Sequence, residues 1–320
     1  MIEEDIRNFN KQFAWEPKIE NQEGSTLNRE KGRTLVLGMG GSHLGADLLK
    51  AYDPKLDLSV HSDYGLPPRL NLEDLIIASS YSGNTEEIID GLNLSLEKNL
   101  SVAVMASGGR LLEMAKEKGL PYIQLPTGHQ PRMSVGFQVK ALAKLLGHQT
   151  AMEEVSRLAE KLNPSGFEEK GRELAEKIKG RVPVIYASRA NFALAYNWKI
   201  KFNESGKVPS FYNVFPELNH NEMNGFLQEQ DPAWRDDFIF LILPDAEDHP
   251  RIQKRMSVMT ELFRQKNWSV EMINLAGEGR WSRIFSSLIT ADWAAYFTAK
   301  QRGLDPENIP VVEEFKRLIK

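Results

Sequence analysis

The chain has 320 residues, 41% hydrophobic and 26% charged, with a formal net charge of −4 and no cysteine. That mixture fits a globular protein with room for two domains of ordinary size, and the missing cysteines exclude disulfides, thiolate nucleophiles and zinc–thiolate sites. A sequence pI near 6.0 argues against nucleic acid or an anionic membrane as the main partner, while a local basic pocket for a phosphate stays open.

Met1 to Asn10 carry acids rather than a basic stretch followed by an apolar run, so no signal peptide is visible. The longest apolar strings, such as Phe238–Leu243, are strand length and far short of a membrane span. A cytoplasmic protein is expected.

Strand-like and helix-like runs alternate along the chain. Thr34–Leu37 is a short apolar run ending at Gly38, and a helical pattern follows over Ser42–Tyr52. Leu58–His61 and Leu75–Ser79 read as buried strands. Thr85–Lys98 reads as a helix, with Ile88, Ile89, Leu92 and Leu96 at spacings of three and four. A strand at Ser101–Met105, a helix near Arg110–Lys118 and a strand at Tyr122–Leu125 continue the order. Polar helices are expected over Ser134–Gly147, Ala151–Leu162 and Phe167–Lys179. The pattern then restarts with a strand at Val182–Ala187, a helix near Asn191–Asn203, a strand at Phe238–Leu243 and a helix over Ile252–Lys266. A strand at Val270–Asn274, a helix over Ile284–Arg302 and a short helix opened by Pro310 complete it. No strand is expected between residues 203 and 238. The fold class implied is α/β: two similar lobes, each a mostly parallel sheet flanked by helices, over residues 1–150 and 151–320.

Two loops of the first lobe suit an anion. Gly38-Met39-Gly40-Gly41-Ser42 follows a strand and opens a helix, so glycine backbone and leading N–H groups can approach a ligand. Ser79-Ser80-Tyr81-Ser82-Gly83-Asn84-Thr85 also joins a strand to a helix, and the hydroxyls of Ser80, Ser82 and Thr85 can converge on one phosphate. The ordinary readings are a tight turn for the first loop and helix N-caps for the hydroxyls. Two such loops at the carboxyl edge of one sheet favour ligand binding. A dinucleotide site is the rival for the first loop, with Asp63 as the ribose acid, but His43 stands where the third glycine belongs.

The segment S-Y-S-G-N-T-E-E at Ser80–Glu87 resembles the phosphate signature of sugar isomerase (SIS) domains. With Gly38–Ser42, Gln130-Pro131-Arg132, Lys201-Phe202-Asn203-Glu204, Pro216-Glu217-Leu218-Asn219-His220-Asn221-Glu222 and Phe315-Lys316-Arg317, the chain is similar to the bifunctional phosphoglucose/phosphomannose isomerases over nearly its whole length. The resemblance implies two tandem SIS lobes and a cofactor-free, metal-free isomerase that interconverts glucose 6-phosphate, and also mannose 6-phosphate, with fructose 6-phosphate. It implies that Gly41, Ser42, Ser80, Ser82 and Thr85 hold the phosphate and that Arg132 sits over the reacting carbons. Glu204 would move the proton between C1 and C2, His220 would open the ring, and Lys316 would assist at the ring oxygen. It further implies a homodimer in which the neighbouring subunit donates His220.

The chemistry requires such a set. A carboxylate can take a proton from one carbon and return it to the next; a guanidinium stabilises the enediolate without losing its own proton; an imidazole titrates where ring opening needs it. Each residue also has an ordinary reading: Glu204 a solvated charge beside Lys201 and Lys207, His220 a structural histidine, Arg132 a cap or surface ion pair, Lys316 one of several water-facing lysines. Ile309, before Pro310, stands where some family members carry threonine, which bears on mannose phosphate turnover. Two other functions remain open: a non-catalytic sugar-phosphate sensor, and an isomerase of an amino-sugar phosphate.

Overall fold

The computed structural model describes residues 2–21, 32–229 and 232–319. The chain divides into two compact units, Asn8–Leu162 and the residues from Asn163 onward, and the first helix belongs with the second. That helix, α1 (Ile2–Arg7), is tied there by the Tyr296 hydroxyl, which donates to Glu3 at 2.6 Å, and by an Arg7–Glu168 ion pair at 2.7 Å.

In the first unit β1 (Thr34–Leu37), β2 (Leu58–His61), β3 (Leu75–Ser79), β4 (Ser101–Ala106) and β5 (Tyr122–Gln124) form one sheet in the order β2-β1-β3-β4-β5. Every neighbouring pair is parallel. The crossovers run through α2 (Leu44–Tyr52), α3 (Glu86–Glu97) and α4 (Gly109–Glu117), and α5 (Val135–Leu146), α6 (Gln149–Ser156) and α7 (Leu158–Lys161) close the unit. Residues two apart on a strand share a face. Leu35 with Leu37, Ile76 with Ala78 and Val102 with Val104 therefore meet Ile88 and Leu92 of α3 and Leu111 and Leu112 of α4 in one apolar cluster.

The second unit repeats this plan. After α8 (Glu168–Ile178), the strands β6 (Val182–Ser188), β7 (Phe211–Phe215), β8 (Phe238–Leu243) and β9 (Ser269–Met272) pair in parallel in the order β7-β6-β8-β9. This matches β2-β1-β3-β4 position for position. The remaining helices are α9 (Phe192–Glu204), α10 (Glu222–Leu227), α11 (Pro250–Gln265), α12 (Arg280–Gln301) and α13 (Pro310–Leu318). One face of the sheet is aromatic: Tyr186, Phe215 and Phe240 pack with Phe263, Trp268, Met256 and Met259. The helix α13 is the exception to this packing, since none of its residues is buried and Val311, Phe315 and Leu318 are exposed.

The α/β class and the parallel order agree with expectation; three local expectations do not. The Ser134–Gly147 helix is not polar in its setting. Nearly all of α5 is buried, including Lys140, whose ammonium donates to the Phe13 carbonyl at 2.7 Å and pairs with Glu16 at 2.8 Å. The expected Ala151–Leu162 helix is broken at Arg157 into α6 and α7. The unexpected strand is β7, an edge strand that exposes Phe211 and Tyr212 at one end and buries Val214 and Phe215 at the other. Such a gradient carries no alternation for a sequence pattern to catch.

The helices α9 and α12 are joined by a buried ion pair, Lys201 to Asp292 at 2.5 Å, with both side chains about 1% exposed. Removing one member strands a buried charge, which costs about 3–5 kcal/mol. Lys201→Met is therefore expected to lower the denaturation midpoint sharply, and Lys201→Met/Asp292→Leu to recover much of the loss. Chemical denaturation of the three proteins checks this, and an unchanged midpoint for the single variant would contradict the role of the pair.

Candidate active site

In the first unit the strand order reverses between β1 and β3, and a ligand crevice is expected outside the carboxyl ends of those strands. The loop after β1 turns at Gly40, whose φ of +51° lies in the left-handed region and around which the space for a Cβ is empty. Gly41 is different: a Cβ there would meet the Arg132 nitrogen and the Pro131 Cβ, each at 2.9 Å. The glycine thus lets the loop lie against the turn that carries Arg132.

The loops after β1 and β3 are bonded directly to each other. The Ser79 hydroxyl donates to the Ser42 carbonyl at 2.6 Å, and the Tyr81 backbone N–H donates to the Ser42 hydroxyl at 3.0 Å. Ser42 accepts in both bonds, so its own hydroxyl proton is left to donate. Ser80 and Thr85 share a hydrogen bond at 2.8 Å, and the Gly83 N–H donates to Ser80 at 3.1 Å. Thr85 stands at the N-cap of α3 but makes no side-chain cap bond, since its hydroxyl is turned to Ser80. The capping explanation therefore fails for Thr85. Ser82 lies exposed at the tip, where its oxygen accepts from the Asn84 N–H at 3.3 Å. The leading N–H groups of α3 have no partner inside the helix and add positive charge beside the hydroxyls.

Two further contacts hold the serine loop. A Cβ on Gly83, at φ +71°, would strike the Gly108 carbonyl, so this position requires glycine. Tyr81, which no sequence pattern singles out, is buried; its hydroxyl donates to the Pro126 carbonyl at 2.7 Å and accepts from the His129 N–H at 3.1 Å. It links the serine loop to the stretch leading into Arg132. Arg132 itself is fully buried, with Nη1 donating to the Gln130 side chain at 3.3 Å, so its guanidinium does not lie at the surface. His43 turns into its own helix: it is buried, with Nδ1 2.8 Å from Asp47. The structure thus gathers Gly41, Ser42, Ser80, Thr85 and Arg132 around three neighbouring loops, with Ser82 at their rim.

The residues expected from the second unit stand on three separate elements. Glu204 is the last residue of α9 and is half-buried; its carbonyl accepts from Lys207 at 2.6 Å, and the same ammonium reaches the Asn308 carbonyl before α13. His220 ends a 3-10 turn over Glu217–His220 and is exposed, lining a cavity of about 430 Å³ with Asn224 and Gln228. Lys316 lies on exposed α13 with Glu313 3.5 Å away. Ile309 is half-buried at the start of that helix.

The crevice of the second sheet, after β6 and β8, is taken by the protein itself. Arg280 binds Asp245 at 2.6 Å and donates to Asn191 at 2.7 Å, Arg283 approaches Asp245 at 3.3 Å, and Asn191 donates to Asp248 at 3.3 Å. Burial raises the Asp248 carboxyl above the ordinary aspartate range and lowers the Arg280 guanidinium. The guanidinium groups of this crevice are thus paired with carboxylates of the same unit. Among the described residues no group of three or more histidine and carboxylate side chains is arranged to hold a metal, and no helix is long and apolar enough to cross a membrane.

A family model, the bacterial phospho-glucose isomerase C-terminal SIS domain, matches residues 167–319. The bifunctional phosphoglucose/phosphomannose isomerase of Aquifex aeolicus is 31% identical over 98% of this chain and 97% of its own length. The D-glucosamine-6-phosphate 4-epimerase of Sulfolobus acidocaldarius is 31% identical over 66% of this chain and 68% of its own. Among solved structures, tagatose-6-phosphate ketose/aldose isomerase from Escherichia coli matches with a TM-score of 0.65 at 14% identity, covering 96% of this chain and 90% of that one, a likeness of fold. The similarity to the Aquifex enzyme runs through both units, and by it the chain belongs to the bifunctional phosphoglucose/phosphomannose isomerase family.

Proposed function

We propose that this chain interconverts glucose 6-phosphate and fructose 6-phosphate through an enediol, and turns over mannose 6-phosphate as well. The observation that carries the reading is the set of hydroxyls at Ser42, Ser80 and Thr85, held together at the carboxyl edge of the first sheet, with Thr85 making no cap bond. Membership of the isomerase family supports it.

In this reading the phosphate rests on Gly41, Ser42, Ser80, Ser82 and Thr85, and its binding energy orients the distant carbonyl end. His220 opens the sugar ring, with Lys316 at the ring oxygen. Glu204 then takes the proton from C2 of the aldose and returns it to C1, while the Arg132 guanidinium stabilises the enediolate oxygen. The half-buried setting of Glu204 suits a carboxylate that must meet substrate yet be shielded from bulk water. A homodimer with His220 donated by the neighbouring subunit is part of the proposal; the exposure of His220 in the single chain supports it.

Glu204→Gln is expected to lower kcat by about 10²–10⁴-fold with inhibition by inorganic phosphate unchanged; an unaffected rate would remove Glu204 from the reaction. Ser80→Ala and Thr85→Val each delete a hydrogen bond to a charged group, a loss of about 1.5–3 kcal/mol, and should raise KM for the sugar phosphate by about 10- to 100-fold. Ile309→Thr should raise the ratio of mannose to glucose phosphate turnover, measured by initial rates with no added metal. Binding of sugar phosphate without any fructose 6-phosphate formed would replace the reading with a sensor. Turnover of glucosamine 6-phosphate alone would replace it with amino-sugar chemistry.

A further inference from the structure

The segment that carries His220 is held on both sides, and one of its holds is a carboxylate with no part in the proposed reaction. Leu218, two residues before the histidine, is fully buried in the aromatic cluster of the second unit. Glu222, two residues after it, opens α10 and uses both carboxylate oxygens. Oε1 accepts from the Tyr186 hydroxyl at 2.5 Å, and Oε2 accepts from the Asn213 amide. Those two donors come from adjacent strands, and Tyr186 and Asn213 are register partners across the β6–β7 ladder. Parallel partners lie about 4.8 Å apart with side chains on the same face, a separation that one carboxylate can bridge. Met223, Phe226 and Leu227 of α10 pack against the aromatic cluster, and this bond pair adds a polar tie from the first residue of the helix to two strands.

We propose that Glu222 is a positioning residue, which with Tyr186 and Asn213 fixes the His220 loop in the geometry needed to open the sugar ring. The inference rests on the ring-opening role of His220. Tyr186 suits this purpose because it is fully buried, packed on Phe215 and Phe240 with ring centroids 6.2 and 5.6 Å away. Burial, with the Glu222 charge beside it, holds its phenol far above the ordinary tyrosine range, so it stays a donor throughout the working pH. Asn213 is steadied in turn, its carbonyl oxygen accepting from the Val214 N–H at 2.8 Å. Without that pair the start of α10 loses its polar tie to the sheet, and a misplacement of the imidazole by about 1 Å can cost about 10²-fold in rate.

A positioning role for ring opening differs from a role in folding in one measurable way: it matters only for substrates that close into rings. Fructose 6-phosphate lacking the 5-hydroxyl cannot cyclise, so it bypasses the step. Tyr186→Phe and Glu222→Gln are expected to lower kcat on glucose 6-phosphate by about 10²-fold, with KM little changed and the rate on 5-deoxyfructose 6-phosphate preserved. Glu222→Gln/Asn213→Asp restores the missing bond with donor and acceptor exchanged, and should recover most of the cyclic rate. Equal loss on both substrates, or no recovery in the double variant, would overturn the proposal. His220→Ala separates the two levels. If it loses the cyclic rate while the Glu222 and Tyr186 variants keep theirs, the positioning role falls and the isomerase reading stands. If His220→Ala keeps the cyclic rate, the ring-opening assignment itself falls.

Discussion

The chemistry of the first unit hangs from two hydrogen bonds to one residue. Ser79, the last residue of β3, and Tyr81, just beyond it, both bond to Ser42, one through its carbonyl and one through its hydroxyl. These bonds pull the loop after β1 against the loop after β3, and every other contact of the cradle is placed relative to that junction. Gly41 can then rest on the Pro131–Arg132 turn, Thr85 can face Ser80, and Tyr81 can reach across to the chain before Arg132. The parallel order of the strands makes this possible. Both loops leave the same edge, and the reversal of strand order between them keeps helix packing from filling the space.

The second unit shows what the same topology becomes without the hydroxyl loops. Its sheet repeats the strand order, and its own crevice lies after β6 and β8. There Asp245, Arg280, Arg283 and Asn191 bind one another. A network of this kind is costly to desolvate and costly to break, so it occupies the crevice as a fixed part of the unit. One copy of the fold sets hydroxyls and loop glycines at this edge; the other fills it with paired charges. Its contribution to the proposed reaction comes instead from a helix end at Glu204, a turn at His220 and a terminal helix at Lys316.

Much of this was legible in the residues, and the parts that were not share a cause. Thr34–Leu37, Leu75–Ser79 and Phe238–Leu243 are continuous apolar runs, and strands buried on both faces read that way. The two loops stood out because glycines and clustered hydroxyls, each ordinary alone, coincide at two strand ends of one sheet. The strand Phe211–Phe215 was missed because an edge strand half in solvent has no regular pattern. The depth of Arg132, the pairing of Lys140 with Glu16 and the Asp245–Arg280 network arise from contacts between residues far apart in sequence, and no local spacing announces them. Glu222 stood inside a recognised segment. Its partners Tyr186 and Asn213 became visible only through the register of two strands.

The terminal helix α13 has a consequence for how substrate preference can change over evolutionary time. Most substitutions are filtered first by what they do to folding. This helix buries none of its residues, and Lys207, through the Asn308 carbonyl, fastens its leading end from outside. Exchanges along the helix therefore escape that first filter and, in the proposed reaction, are judged mainly by catalysis. If Lys316 acts as proposed, its helix is a place where new selectivity among hexose phosphates can be explored with the two cores left untouched.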